Sequence, residues 1–225
     1  MKLSDDTINV LKNFSGINQS LQFKAGNTLR TISPLKTIFV EATIGETFTK
    51  EFALYDLNKL LAKVSLYKGA ELSFDDDKII IATENKKKSD YIKYCSSKVI
   101  IVPPEKTISL GIADCSFNLS QEDIDWMKKS AGISGSPNFV FESDGDTVQF
   151  IATDVKDDSS DKSKIEIGAG NGTKFHVVMK VENFKLMDGS YEVSIAKKGL
   201  ACFKHTSAAI NYFIAIEAAS STFGE

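Results

Sequence analysis

The most constraining feature of this sequence is an internal repeat. When residues 3–17 are set against residues 119–133 without a gap, six of the 15 positions are identical. Each copy begins Leu-Ser, continues with acidic residues and an apolar helical pattern, and ends Gly-Ile. A unit that occurs twice in 225 residues predicts two domains of similar fold.

Each copy of the repeat predicts one amphipathic helix. Ser4 and Ser120 are expected to be the N-caps, because a hydroxyl oxygen can accept a hydrogen bond from a free amide of the first turn. Gly16 and Gly132 are expected to end the helices, since glycine adopts the left-handed conformation common at that position.

The sequence between these helices predicts strands and two shorter helices. The shorter helices are expected at residues 54–66 and 180–187. The strands are rich in β-branched and aromatic residues; two are predicted at 37–42 and 47–54, and another at 98–102. Pro103 and Pro104 cannot donate ladder hydrogen bonds and are expected to begin a connector, roughly 103–118. The predicted domains are residues 1–107 and 108–225.

Charge divides unevenly between the two halves. Residues 1–110 carry 16 Lys and Arg against 13 Asp and Glu, whereas residues 111–225 carry 11 against 17. The total of −3 argues against a typical basic nucleic-acid-binding domain. A basic half and an acidic half permit head-to-tail association between copies, and a chance imbalance in loops is the alternative.

The residues that usually carry catalysis or metal binding form no recognisable pattern. Cys95, Cys115 and Cys202 fit no disulfide or zinc spacing, which indicates a reducing compartment. His176 and His205 have no triad or metal spacing around them. The run 168–172 is glycine-rich, but a strand pattern follows it, so a hairpin is preferred to a phosphate loop. We therefore expect no catalytic residue, metal or cofactor. No membrane span or signal peptide is apparent.

Lysines recur on the polar faces of the four predicted helices. Solvated lysines are common on any amphipathic helix, which is the simpler interpretation. Combined with duplication and the missing active site, they also suit a scaffold that holds DNA by its phosphates without reading sequence. The lysines concerned are Lys12, Lys59, Lys63, Lys128, Lys129, Lys180 and Lys185.

Short strings spread along the whole chain resemble the DNA polymerase sliding clamps of tailed phages. They are MKLS at the start, LKNF from residue 11, YDLN from residue 55, and NY and IEA from residues 211 and 216. The resemblance implies an α+β fold of two similar clamp-type domains, each with two helices on curved antiparallel sheets. Three copies would close head to tail into a ring whose helices, with the lysines above, line the hole.

The resemblance also implies the function and partners. A non-enzymatic clamp would encircle duplex DNA without sequence preference and tether the replicative polymerase. A separate ATP-driven clamp loader would load it, and in some phages RNA polymerase or a transcription co-activator would bind it. It would act on replicating DNA in the host cytoplasm and would not be secreted.

Two further sites are expected from the resemblance. A partner-binding pocket is expected to include Ile108, Leu110 and Ile112, which alternate like a strand, and Phe223. The ring joint is expected to use edge strands, with residues 67–74 and 79–83 as candidates in the first domain and 138–141 and 147–152 in the second.

Two other classes of protein remain as alternatives. A strand-rich virion or tail structural protein would also lack an active site. A hydrolase would have to act through the acidic residues 75–77 and His176.

Overall fold

The computed structural model describes residues 1–106 and 108–224, which fall into two units, Met1–Glu105 and Lys106–Glu225. In the first unit two helices and seven strands follow one another as α1 (Asp5–Ile17), β1 (Leu21–Phe23), β2 (Gly26–Ile32), β3 (Ile38–Phe48), β4 (Phe52–Leu54), α2 (Leu57–Ser65), β5 (Glu71–Phe74), β6 (Lys78–Ala82) and β7 (Ser89–Lys93). Antiparallel pairs join β1 to β4 and β2 to β3, and β5-β6-β7 form a three-stranded sheet.

Helix α1 begins as the sequence predicts and ends two residues later than predicted. The Ser4 side chain accepts a hydrogen bond from the Thr7 amide, which confirms the N-cap. Gly16 lies inside the helix, so its assignment as the terminator is wrong. The chain leaves the helix at Asn18, whose side-chain amide donates to the Ile32 carbonyl at 2.9 Å. This buried, long-range bond fixes the end of the helix in place of a left-handed glycine.

The second unit repeats the helix-then-strands order. Its elements within the described residues are β8 (Cys115–Leu119), α3 (Gln121–Ser134), β9 (Asn138–Asp144), β10 (Thr147–Thr153), β11 (Ser163–Ala169), β12 (Lys174–Lys180), β13 (Tyr191–Ala196), β14 (Leu200–His205), β15 (Ile210–Ala215) and β16 (Thr222–Phe223). One sheet has the order β11-β10-β9-β12-β16, and β15-β14-β13-β8 lie side by side in another. All of these pairings are antiparallel.

Helix α3 is capped as predicted at its start and runs past its predicted end. The Ser120 side chain accepts from the Asp123 amide at 3.1 Å. Gly132 lies inside the helix, and Gly135, with φ of 65°, is the C-cap. A left-handed glycine at the end of α3 was therefore predicted correctly, but the prediction placed it at Gly132, three residues before Gly135.

The fourth predicted helix, residues 180–187, is wrong. The structure has a single 3-10 turn, Val181–Asn183, after β12. Phe184 and Leu186 are both buried, a spacing of two that suits an extended chain and not a helix. The backbone of Met187 bonds outside the segment, donating to the Tyr212 hydroxyl and accepting from the Tyr191 hydroxyl.

Three smaller expectations also change. Residues 37–42 and 47–54, predicted as two strands, form one long strand, β3, followed by the short β4. Residues 98–102 form no strand; a 3-10 turn, Ser97–Val99, precedes irregular chain. The glycine-rich run 168–172 joins β11 to β12, which pair with different neighbours, so it is a sheet connection and not a hairpin.

Clusters of aromatic rings form much of each core. In the first unit Phe23, Phe48 and Phe52 lie within 5.8 Å of one another by ring centroids. In the second unit Phe141 and Phe150 stack at 4.6 Å. Each buried ring contributes about 1.5–3 kcal/mol of transfer free energy, so these clusters stabilise the sheets on which the helices rest.

Candidate nucleic-acid interface

Exposed lysines lie on both helices of the first unit. Lys12 of α1 is exposed, while Val10, Leu11 and Phe14 of the same helix are buried. Lys59 of α2 is exposed, and its amide donates to the N-cap residue Asp56. Helix α1 packs beside α2, so the unit presents positive charge on two adjacent helices.

Lys63 of α2 already has a partner within its unit. Its ammonium group forms an ion pair with Asp90 of β7, and the Tyr67 hydroxyl donates to the same carboxylate at 2.7 Å. The bond from Lys63, followed by that from Tyr67, holds the pKa of Asp90 below its usual value. The charge of Lys63 is therefore partly compensated locally and is less available to a phosphate.

The two adjacent lysines of α3 lie in different environments. Lys128 is half-buried, with its nitrogen 5.8 Å from the centre of the Phe184 ring. Burial lowers the pKa of Lys128, although Asp125 and Asp188 act to raise it. Lys129 is exposed. Of the two, Lys129 is the one that can reach a phosphate without leaving a packed position.

This difference follows from a rotation of α3 relative to the sequence repeat. The repeat aligns Lys128 with Lys12, and both are the eighth residue of their helices. However, α3 buries Ile124 and Ala131, each one residue further along than the repeat would place it from Thr7 and Phe14 of α1. Met127 stays buried like the aligned Leu11, but Trp126, aligned with the buried Val10, is exposed. Lys129 thereby takes the exposed position that Lys12 has in α1.

Helix α3 also exposes two large apolar side chains. Trp126, the only tryptophan of the chain, is 47% exposed, and Ile133 is 88% exposed. They lie seven residues apart, two helical turns, and therefore share a face with Lys129. The sequence holds a signal for their exposure, since neither lies three or four residues from both Ile124 and Met127, the spacing that would place it on the buried face.

The last two lysines of the predicted set do not lie on a helix. Lys180 ends strand β12, with its nitrogen 3.9 Å from the Glu182 carboxylate. Lys185 is exposed in the segment that replaces the fourth predicted helix. Of the seven lysines, the structure thus places five on α-helices and two at or beyond the end of a strand.

The residues expected in a partner pocket are not arranged as the sequence suggested. Ile108 and Leu110 are half-buried and Ile112 is 92% exposed, but none of them lies in a strand, so the strand-like alternation is wrong. Residues 108–114 are irregular chain. Phe223 is half-buried in β16, where it pairs with Phe175 of β12.

One cavity went unrecognised in the sequence. It has a volume of about 490 Å³ and lies in the second unit, where its lining includes Pro137, Val155, Val178, Val181 and Ser220. These residues come from segments far apart in the chain, so no local motif could have indicated it.

The alternative of a hydrolase gains no support from the local geometry. Asp75 and Asp77 lie 3.6 and 3.7 Å from the Lys78 nitrogen in the β5–β6 turn, as solvated turn residues do. His176 lies 3.5 Å from the Glu142 carboxylate on the neighbouring strand.

His205 is a buried structural residue. Its ring nitrogens bond the Asp188 carbonyl and the amides of Ser207 and Ala208. In the part of the chain that the structure describes, no group of His, Cys, Asp and Glu is arranged to hold a metal ion. The helices in that part are also too short or too polar to cross a membrane.

Comparison with known proteins identifies the class. The model of the family "DNA polymerase processivity factor" matches residues 4–102, and that of "gp45 sliding clamp, C terminal" matches residues 116–218. Among solved structures, A. fulgidus PCNA bound to the C-terminal region of FEN-1 has a similar fold, with a TM-score of 0.70 at 12% identity over 96% of each chain. The fold is therefore that of the sliding clamps, which confirms the predicted fold class.

Curated relatives narrow the class to a family. The sliding clamp of Vibrio phage KVP40 is 32% identical over 97% of this chain and 100% of its own length. The sliding clamp of Escherichia phage RB69 is 30% identical over 98% of this chain and 99% of its own length. The chain belongs to the phage sliding-clamp family of DNA polymerase processivity factors. This confirms the resemblance seen in the sequence and replaces the alternative of a virion structural protein.

Proposed function

We propose that three copies of this chain close head to tail around duplex DNA and tether the replicative DNA polymerase to it. A separate ATP-driven loader opens and places the ring, and the chain itself catalyses no reaction. The ring acts on replicating DNA inside the phage-infected host cell. The observation that carries this proposal is the presence, in both halves of a sliding clamp, of exposed lysines on helices that pack against antiparallel sheets.

The DNA contact proposed here is electrostatic and uses a small number of lysines. Lys12, Lys59 and Lys129 are its main contributors, because each is exposed on a helix. The partly compensated Lys63 and half-buried Lys128 contribute less, as do Lys180 and Lys185, which lie off the helices. Few contacts suit a sliding ring, since encirclement retains it and weak, screened contacts let it move.

The proposed ring joint uses one strand edge from each unit. In the first unit β6 is paired on both sides, and the outer edge of β5 is covered by Met1, whose backbone exchanges two hydrogen bonds with Leu72. Within the β5-β6-β7 sheet this leaves the outer edge of β7, where Tyr91 is 59% exposed. In the second unit β9 and β10 are paired on both sides, whereas β11 ends its sheet.

The candidate joint segments named from the sequence therefore change. Residues 79–83, 138–141 and 147–152 lie in β6, β9 and β10, which offer no free ladder groups within the described chain. Pairing β7 of one copy with β11 of the next would cover two edges that would otherwise invite aggregation. Asp90 of β7 is already paired with Lys63, so the proposed joint rests on ladder hydrogen bonds and on the exposed Tyr91.

A peptide site for partner proteins is supported by a clamp of the same fold. PCNA from A. fulgidus was solved with a segment of FEN-1, so a clamp of this fold holds a peptide of its partner. For this chain we place peptides of the polymerase and the loader on the connector, at Ile108, Leu110 and the exposed Ile112. RNA polymerase or a transcription co-activator would use the same surface.

Encirclement can be tested by topology. Clamp loaded by its loader onto nicked circular plasmid should stay with the DNA during gel filtration and should be lost once the plasmid is cut. Trp126, on the same face of α3 as Lys129, should report the DNA by a change in its fluorescence. Equal retention on circular and linear DNA would contradict encirclement.

The lysine set has a matched control within the chain. Replacing Lys12, Lys59 and Lys129 together by Gln should weaken retention and flatten its salt dependence, by about 0.9 in the log–log slope for each phosphate that is no longer neutralised. Replacing three exposed lysines off the α-helices, Lys68, Lys98 and Lys198, removes the same charge and should leave the slope unchanged. Equal effects of the two triple variants would mean that only net charge matters.

The joint is tested by mass in solution. Tyr91→Asp should shift the assembly from about three times 24.7 kDa towards the monomer, measured by light scattering over a dilution series. Glu192→Lys, an exposed charge change on β13, which is paired on both sides by β14 and β8, is the control. A trimer unaffected by Tyr91→Asp and by a charge reversal at Lys164 would place the joint elsewhere.

A further inference from the structure

The turn between β6 and β7 carries the only run of three adjacent basic residues in the sequence, Lys86, Lys87 and Lys88. All three side chains are exposed. We call residues 83–88 the lysine turn. It lies off the α-helices and is therefore separate from the lysines that the helices expose.

Hydrogen bonds within the lysine turn fix its backbone. The Thr83 amide donates to the Lys88 carbonyl at 3.0 Å, and the Lys86 amide donates to the Thr83 carbonyl at 2.8 Å. The side-chain oxygen of Asn85 accepts from the Thr83 hydroxyl at 2.8 Å and from the Lys87 amide at 3.1 Å. The turn is therefore preformed, and a ligand that binds its three ammonium groups has little backbone to order.

The positive charge of the lysine turn is not compensated within the protein. In the part of the chain that the structure describes, none of its three ammonium groups has a carboxylate partner. The acidic residues on either side of the run are already paired, since Glu84 lies 3.9 Å from the Lys2 nitrogen and Asp90 forms an ion pair with Lys63. Three like charges on consecutive residues repel one another, and an anion that binds them relieves this repulsion.

The same two ion pairs place the lysine turn beside the ends of both helices of the first unit. Lys2, the partner of Glu84, precedes the start of α1, and Lys63, the partner of Asp90, lies in the last turn of α2. The turn thus lies at the margin of the surface on which these helices expose their lysines. A phosphate backbone that leaves this surface at the helix ends reaches the turn.

The side chains of the lysine turn suit the repeated phosphates of a nucleic-acid backbone. Lysine ammonium groups are compact charges on flexible stems and bind phosphates without a fixed geometry. Each strand of duplex DNA carries a phosphate about every 3.4 Å along the helix axis, close to the spacing of about 3.8 Å between consecutive Cα atoms. One strand can therefore offer a phosphate to each of the three ammonium groups.

We propose that the lysine turn is a second DNA-binding site, which takes the phosphate backbone of duplex DNA outside the hole of the ring. The site needs no encirclement, so it holds the protein on DNA before the ring is loaded. Contact with three phosphates predicts a log–log salt slope of about −2.7, which is a loss of about 40-fold in affinity between about 50 and 200 mM salt.

The test uses a DNA circle that a closed ring cannot thread. A covalently closed duplex minicircle is immobilised, and binding of the full chain is measured by biolayer interferometry without a loader, over a salt series. The turn variant replaces each lysine of residues 86–88 by Gln. The surface control replaces Lys36, Lys98 and Lys198 by Gln, which removes the same charge from exposed positions elsewhere. The helix variant is the triple Gln replacement at the exposed helix lysines.

We expect the turn variant to bind the minicircle at least tenfold more weakly than the unchanged protein at low salt, with the salt slope reduced by about 2.7. The surface control and the helix variant should keep both affinity and slope, because neither changes the lysine turn. No loss in the turn variant, or an equal loss in the surface control, would overturn the proposal. Tighter binding of poly-glutamate than of the minicircle by the unchanged protein would also overturn it, in favour of an acidic protein partner.

An arginine variant separates the charge of the lysine turn from its fold. Replacing each lysine of residues 86–88 by Arg keeps three positive charges and should leave the affinity within about threefold of that of the unchanged protein. If the Arg variant is folded by circular dichroism and binds as weakly as the turn variant, charge is not the cause and the proposal is wrong. Binding to the minicircle requires no threading, so it can persist even if the retention test on nicked circular DNA contradicts encirclement.

Discussion

Gly189 is the position where the structure leaves least room for a side chain. Its φ is 144°, and a Cβ atom there would lie 2.0 Å from Nε2 of His205. The His205 ring is buried and holds three hydrogen bonds: Nε2 donates to the Asp188 carbonyl at 3.0 Å, and Nδ1 accepts from the amides of Ser207 and Ala208 at 3.1 and 3.0 Å. Gly189→Ala therefore perturbs the backbone and this network together.

The loss of stability in Gly189→Ala comes from the displaced His205 ring and from the strained backbone. The ring must move by about 1.4 Å to restore an ordinary contact of 3.4 Å, which lengthens all three hydrogen bonds beyond use. Each buried group left unpaired costs about 1–3 kcal/mol, and alanine at this φ adds about 1–2 kcal/mol. Allowing for partial relaxation, we expect Gly189→Ala to lower the free energy of unfolding by about 3–5 kcal/mol, a large share of a typical total.

This loss is measured by urea unfolding. The unfolding is monitored by circular dichroism and by the fluorescence of Trp126, which lies in the same unit. Gly132→Ala is the control: it lies inside α3 with no atom within 4 Å of the added Cβ, and should raise stability by about 0.5–1 kcal/mol. In a His205→Ala background Gly189→Ala should cost only the backbone part, about 1–2 kcal/mol. If the full 3–5 kcal/mol persisted there, the contact with the ring would not be its source.

Three further predictions concern stability and DNA contact. Lys128→Met should leave both stability and salt-dependent DNA retention nearly unchanged, because the Lys128 side chain is half-buried with its ammonium group beside the Phe184 ring, whereas Lys129→Met should lower retention in the same loading assay. The reverse order would refute the rotation of α3. Thr31→Val should raise the free energy of unfolding by about 1 kcal/mol in urea, because the Thr31 hydroxyl is buried without a hydrogen-bond partner among the described residues; a loss of stability would indicate an unseen partner. Burial acts to raise the pKa of Glu46, but hydrogen bonds from Thr7 and Ser4 outweigh this effect and lower the pKa below the ordinary 4.5. The stability that this carboxylate contributes is therefore present above pH 4.5 and is lost as the pH falls below that value. Glu46→Gln should reduce the fall in thermal stability measured below pH 4.5, and an unchanged fall would exclude Glu46 as its cause.

Local sequence signals predicted the starts of the helices and the strand-rich body of the fold. Ser4 and Ser120 act within three residues of themselves, so their pattern is readable from the sequence alone. The ends were less readable, because α1 stops where Asn18 bonds the Ile32 carbonyl, a partner 14 residues away. The predicted fourth helix failed for a similar reason, since the Met187 amide donates to the hydroxyl of Tyr212, a partner 25 residues away.

The candidate site was predictable to the extent that it depends on helical periodicity. Lys12 and Lys59 are exposed, as their positions opposite apolar residues indicated. Periodicity could not show that Lys63 meets Asp90, because Asp90 lies 27 residues away in sequence. Nor could it show that Phe223 pairs with Phe175, since a two-residue strand has no pattern of its own.

The rotation of α3 shows how a repeat can preserve ends and change faces. The caps are local, so Ser4 and Ser120 keep equivalent places in the two copies. The buried face of each helix depends on which side chains can pack against its sheet. Helix α1 buries Phe14, whereas the aligned residue of α3 is Ser130, and α3 buries Ala131 instead. Turning by one residue brings Lys128 over Phe184 and moves Lys129 outward. A duplicated clamp domain can thus keep one lysine exposed in each copy even though the aligned lysine has become part of the core boundary.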